Sequence, residues 1–206
     1  MTTIKTADDV LAFWKQAGPD KWYEKDDAFD QTIRDNFLAT YEAAAAGRLS
    51  SWQSGPDSAL ALVIVLDQFP RNMFRDSPRA WATDPLARDV ADSAIDRGFD
   101  QSIDKELRAF FYLPFMHSED LEDQLRCVEL CRALGNEDNH KYAEIHAEVI
   151  RRFGRFPHRN PVLGRETTPE EKEFLGAVVS PGSCFGPHKH PPLLSCPAKA
   201  GHPVAS

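Results

Sequence analysis

Two distant stretches of the chain end in nearly the same words: "LDQFPRN", closing at Asn72, and "GRFPHRN", closing at Asn160. A third, "FFYLPFMHSED", carries His117, Ser118, Glu119 and Asp120 just past Pro114. In each, an apolar segment meets a proline and then delivers polar residues. Asp67 follows the most apolar run of the protein and is therefore expected at depth, where an unpaired carboxylate is costly. It needs a cation, and the guanidinium of Arg71 or Arg159 could meet it through paired hydrogen bonds. His117 has the intrinsic acidity of a group that gives or takes a proton near neutral pH, with Glu119 or Asp120 as the carboxylate that orients it. His117, Glu119 and Asp120 are thus the catalytic candidates.

The stretch "RRFGRFPHRNPVLGR" adds Arg155, His158, Arg159 and Arg165. A basic cluster in an acidic chain points to a small anion such as a phosphate or carboxylate, or to the acidic end of a peptide. The expected binding set is Asp67, Arg71, Asn72, His117, Glu119, Arg155, His158, Arg159, Asn160 and Arg165, forming a polar floor inside a helical bundle. Two other readings stay open. One is a hydrolase for a phosphate ester, with His117 as proton donor or base and the arginines stabilising developing negative charge. The other is architectural: the polar phrases tie off helix ends and the protein serves as a scaffold for protein contacts. The first two require the segments closing at Pro70, Pro114 and Pro157 to meet in space.

Other chemistries find little support. There is no glycine loop for phosphates and no nucleophile elbow, so no cofactor is expected. His117, His146 and His158 lack a recognised metal-ligand spacing, and no metal is expected. His146, beside Tyr142, Val149 and Phe153, reads as a hydrogen-bonded core histidine, and His140 as solvent-facing. Cys127 and Cys131 share a helical face and are expected to pack as small apolar groups. Cys184, His188, His190, Cys196 and His202 lie in a proline-rich tail.

Helices must position these residues, because no segment shows strand-like alternation bounded by hairpin turns. Thr6 with Asp9 forms a capping box for a first helix ending near Gly18, and a second runs from about Asp27 to Gly47 with Phe29, Ile33, Phe37 and Tyr41 as its buried stripe. "SALALVIVLDQF" is apolar on every side, belongs in the middle of the bundle and is expected to stop at Pro70. Asp84 caps a helix that ends at Gly98. Another spans about Ile103 to Leu113 and halts at Pro114; Ser118 caps the next, which Gly135 ends. A helix from Asn136 or Glu137 runs to Phe153, and Thr168, Pro169 and Glu171 open the last. Short connections favour antiparallel pairs.

At 206 residues the chain suits one domain, 1–186, followed by a disordered tail, 187–206. A formal charge of −8 argues against broad binding to nucleic acid or anionic membranes. The start "MTTIKTADDV" has no export pattern and "ALALVIVL" is too short to span a bilayer, so a cytoplasmic location is expected. The segments "FWKQAGPDKWYEKDDAFD", "LALVIVLDQFPRNMFR", "FFYLPFMHSED" and "RRFGRFPHRNPVLGRETTPEEKEFL" together resemble the bacterial family catalogued as domain of unknown function 924. The resemblance covers the chain to about Gly186. It implies an all-helical fold similar to tetratricopeptide-repeat proteins, a stack of antiparallel helix pairs, and it carries no catalytic residues with it.

Overall fold

The capping chemistry sets most helix starts. In the computed structural model, which describes residues 3–23 and 25–179, α1 (Ala7–Ala17) opens at the reciprocal Thr6–Asp9 box. A short α2 (Pro19–Trp22) turns the chain, and α3 (Asp27–Ala45) begins under the Asp26 carboxylate, which accepts from the amides of Ala28 and Phe29. All secondary structure among the described residues is helical, and it forms one domain. The proposed tail, with Cys184, Cys196 and the last three histidines, lies outside the described residues.

The centre is α4 (Pro56–Val63) with its continuation. Every residue from Ala59 to Pro70 is buried, as expected of a segment apolar all round, and α1, α3 and α6 (Asp84–Asp96) pack around it. Phe69 joins Trp14, Phe37 and Phe13 in an aromatic cluster.

The chain does not stop at Pro70. It remains helical through a π-turn (Ile64–Gln68) into α5 (Phe69–Met73). Proline has no amide hydrogen and its ring crowds the carbonyl four residues back. The wider π-turn absorbs this: the Phe69 amide donates to Ile64 five residues earlier, and the stranded carbonyl of Leu66 accepts the Thr83 hydroxyl at 2.6 Å. Such insertions recur at functional sites.

Three further expectations are corrected. The helix forecast over 103–113 is broken into α7 (Lys105–Arg108), a 3-10 turn (Ala109–Phe111) and α8 (Leu113–Met116), with Pro114 in the first turn of α8, where its missing N–H is harmless. Asp84 does not cap; Thr83 precedes the helix, and the Asp84 carboxylate turns inward to Arg71. Asp120, not Ser118, caps α9 (Leu121–Leu134) by accepting from the Glu122 amide, while Ser118 donates to Asp123.

Gly135, in the left-handed conformation with φ 67°, lets the chain turn at once into α10 (Glu137–Phe153), so α9 and α10 pack as a hairpin. A 3-10 turn (Pro157–Arg159), α11 (Asn160–Leu163) and α12 (Pro169–Val179) complete the described chain.

Candidate functional site

Asp67 leaves the π-turn fully buried. Its Oδ1 lies 2.8 Å from His117 Nδ1 and 3.2 Å from Arg71 Nη1, and Gln68 donates to its Oδ2. Arg71 in turn reaches Asp84 with both terminal nitrogens, each at 2.9 Å, and also donates to the Asp67 carbonyl. Arg159 arrives from the second phrase, FPHRN: Nη2 donates to the His117 carbonyl at 3.0 Å, and Nη1 stands 3.8 Å from Asp84. The three proline-marked segments therefore meet, and Asp67, Arg71, Asp84, His117 and Arg159 form one continuous polar cluster.

Burial pushes the Asp67 carboxyl upward, but the Arg71 and His117 neighbours outweigh it and hold it at about 2. The carboxylate is thus an acceptor only. For His117 the balance runs the other way: burial and the Arg71 charge lower its pKa from the ordinary 6.5 against the pull of Asp67. His117 is accordingly neutral at pH 7, and Arg71 is the charge that keeps Asp67 ionised. Since Asp67 cannot donate, the imidazole proton sits on Nδ1, and Nε2 carries the free lone pair.

Arginines dominate the surroundings of His158. His158 is lowered to about 3 by burial and by Arg159, Arg71, His117 and Arg165 in turn. His146 is also lowered to about 3, by burial against the help of the Tyr142 carbonyl at 2.7 Å. Arg159 itself is pushed down to about 10, by burial and by Arg71. Its guanidinium lies over Phe156 at 4.6 Å and Trp81 at 5.3 Å, and its Nε has no hydrogen-bond partner among the described residues. His158 Nδ1 and Asn160 Oδ1 are likewise buried and unpartnered, so three successive residues each hold an unsatisfied polar atom.

Not every expected residue joins. Glu119 and Asp120 do not orient His117; Asp67 does. Glu119 accepts from the Phe156 amide at 2.9 Å and pairs with Arg165 at 2.9 Å, tying the His117 segment to the His158–Asn160 turn from the outside. Arg155 turns to Glu171, with bonds of 2.6 and 2.9 Å, and Asn160 donates to the same carboxylate at 3.2 Å. Asn72 donates to Asp30 at 2.7 Å beside Arg75. The two asparagines of the repeated phrase thus serve different carboxylates away from the Asp67–His117 pair.

Sequence reasoning missed Asp84, Thr83 and Gln124. Gln124 is completely buried on α9 and donates from Nε2 to the carbonyls of Phe115, Met116 and Ser118 at 3.3, 2.7 and 2.6 Å, pinning the backbone on both sides of His117. It shares the inward face of α9 with Cys127 and Cys131, but a glutamine there does not name its partners. Asp84 was visible, but a carboxylate beside Pro85 reads first as a cap. Among the described residues, no group of His, Cys, Asp or Glu is arranged to hold a metal ion.

Residues 10–178 match the family described as bacterial protein of unknown function, DUF924. The chain belongs to this family. The structure is similar to that of a protein of unknown function from Agrobacterium tumefaciens, with 52% sequence identity and a TM-score of 0.80 over 82% of this chain and 96% of that one. No curated protein matches. Family membership therefore supplies the fold and leaves the chemistry to the site.

Proposed function

We propose that the Asp67–His117–Arg159 cluster is a binding site for a small oxyanion, a phosphate or carboxylate group free or at the end of an acidic peptide. One observation carries this reading. Arg159, 7% exposed, hydrogen-bonds no carboxylate: Asp84, held bidentately by Arg71, stands 3.8 Å from its Nη1. A buried guanidinium with an idle Nε is an uncompensated cost that an arriving anion offsets. The partly exposed Arg71 and His117 give it an approach.

Thermal unfolding with added inorganic phosphate, sulfate, acetate and citrate tests the reading. A ligand at a hundredfold excess over its dissociation constant adds about 2.7 kcal/mol, which raises Tm by roughly 5–10 °C for a chain of this length. No shift with any of the four at tens of millimolar removes it.

A second reading, a hydrolase for a phosphate ester or similar anionic substrate, draws on the Asp67–His117 pair. Neutral His117, with its tautomer fixed and Nε2 unpartnered, has the arrangement of a general base that takes a proton from water while the arginines receive the developing charge. Its test is a panel of chromogenic phosphate and carboxylate esters. Turnover that disappears in a folded His117→Gln variant supports it, and turnover that survives assigns the reaction elsewhere.

The α9–α10 hairpin, closed by two residues, favours the finer fold reading of a tetratricopeptide-like stack, and with it a role in protein contacts. The acidic surface, and the absence of any described helix long and apolar enough to cross a membrane, favour a cytoplasmic setting without nucleic-acid partners.

A further inference from the structure

Arg71 and His117 flank one oxygen of Asp67, and each keeps hydrogen-bonding capacity that no described residue uses. One oxygen of Asp67 is shared by Arg71 Nη1 at 3.2 Å and His117 Nδ1 at 2.8 Å, so guanidinium and imidazole stand next to each other with the carboxylate behind both. Arg71 uses Nη1 on Asp67 and Asp84 and one hydrogen of Nη2 on Asp84. Its Nε–H and second Nη2 hydrogen have no acceptor among the described residues, and 20% of the side chain is open. On His117 the Nδ1 proton is committed to Asp67, so Nε2 can only accept; 18% of that side chain is open, and no described residue donates to it.

A ligand that fills this pair must bring an acceptor oxygen for the guanidinium and an O–H or N–H for the imidazole. A bare oxyanion satisfies the first and places a lone pair against the lone pair of Nε2. Charge narrows the choice. Arg71 and Arg159 are matched in number by Asp67 and Asp84, and Arg165 is neutralised by Glu119 at 2.9 Å, so the cluster is neutral before a ligand arrives. A single added negative charge meets the free donors of Arg71. A second would stand near two buried carboxylates with no cation to spare.

We infer that the ligand of this site is a small monoanionic carboxylate bearing a hydroxyl on the neighbouring carbon, its carboxylate on Arg71 and its hydroxyl donated to His117 Nε2. This inference rests on the oxyanion reading above and specifies its ligand class. A hydroxyl is favoured over an ammonium because an ammonium would face Arg71 and Arg159 at close range.

The experiment is a set of NMR titrations of the full chain at pH 7.5, following the His117 ring and the Arg side chains, with lactate, propionate and inorganic phosphate. Lactate is expected to bind about tenfold more tightly than propionate, the effect of one satisfied hydrogen bond in a half-buried site. In His117→Phe the ratio of lactate to propionate affinity should fall to about one, whatever the change in either affinity, and a ratio that stays near ten overturns the inference. Equal binding of lactate and propionate to the native protein overturns the inference and leaves the oxyanion reading standing, as does binding of phosphate without either carboxylate. If none of the three binds, both are overturned.

Discussion

The hydroxyl of Thr83 donates to the carbonyl of Leu66 across 2.6 Å, and it does so where the proline at position 70 has left that carbonyl without a helical partner. The bond joins the π-turn that aims Asp67 to the residue just before α6, next to the Asp84 that holds Arg71. Thr83→Val keeps the side-chain shape and removes the donor from a buried acceptor, a loss of about 1–3 kcal/mol. Urea unfolding should show a lower midpoint with an unchanged slope. The same variant should alter the His117 ring resonances, because Asp67 is no longer held; ring shifts identical to those of the native protein would mean the π-turn holds itself.

Asp67 and Arg159 should answer differently to neutralisation. Asp67→Asn takes the charge away from between Arg71 and His117 and leaves a buried cation less compensated, which costs about 3–5 kcal/mol. It should also lower the His117 pKa further, since Asp67 is the neighbour that raises it. Arg159→Gln removes a cation that hydrogen-bonds no carboxylate and stands 3.8 Å from Asp84, so its stability loss should be smaller than that of Asp67→Asn while anion affinity falls. Chemical denaturation of both variants, paired with phosphate and lactate titrations, separates the cases. A large stability loss in Arg159→Gln with no change in binding would make the cluster architectural.

Acid should weaken the fold early. His146 and His158 have folded pKa values of about 3 against 6.5 in the unfolded chain, so between these limits the unfolded state holds more protons and stability falls as pH drops. His117 adds to the same trend from its lowered value. Asp67, held at about 2, contributes stability that is fully present above its unfolded 3.8 and lost only as pH falls through its folded value. Tm is expected to decline from about pH 6.5 downward with an uptake of about two protons on unfolding near pH 5. His158→Asn should remove about one of them. A Tm flat from pH 7 to 4.5 would show that these rings are protonated in the folded protein.

The parts of this arrangement that local chemistry governs were legible in the sequence. The Thr6–Asp9 and Thr168–Glu171 boxes, the Gly135 turn and the apolar run through Leu66 each follow from residues within one or two turns of helix. The convergence of Asp67, His117 and Arg159 could be argued from three apolar segments that each break into polar residues. What could not be read was partnership. Asp84 beside Pro85 looks like a cap, and only the fold brings Arg71 to it. Glu119 next to His117 looks like its carboxylate, yet the fold pairs it with Arg165, while Asp67, fifty residues away, takes the ring. Pro70 looked like a stop because the compensating donor, Thr83, lies seventeen residues beyond the carbonyl of Leu66 that it serves.

Glu171 links α12 to the turn that carries Arg159. Its carboxylate takes two bonds from Arg155, the Thr168 amide at 2.8 Å and Asn160 Nδ2 at 3.2 Å; the Arg155 bonds first, and the Thr168 and Asn160 bonds after them, outweigh burial and hold it at about 2. Glu171→Ala removes both the reciprocal cap of α12, worth about 1 kcal/mol, and the acceptor that fixes Asn160 beside Arg159. Hydrogen exchange over 169–177 should quicken, and anion affinity should fall severalfold even though Glu171 touches no ligand. Phe174 on Phe153, at 5.0 Å, and the Arg152–Glu170 pair remain to keep α12 in place. Arg152→Gln, which removes the exposed pair between α10 and Glu170, should change exchange in α12 slightly and leave anion affinity alone. If Glu171→Ala loosens α12 and binding is untouched, the 158–160 turn keeps its shape without the clamp, and the role of α12 ends at its own packing.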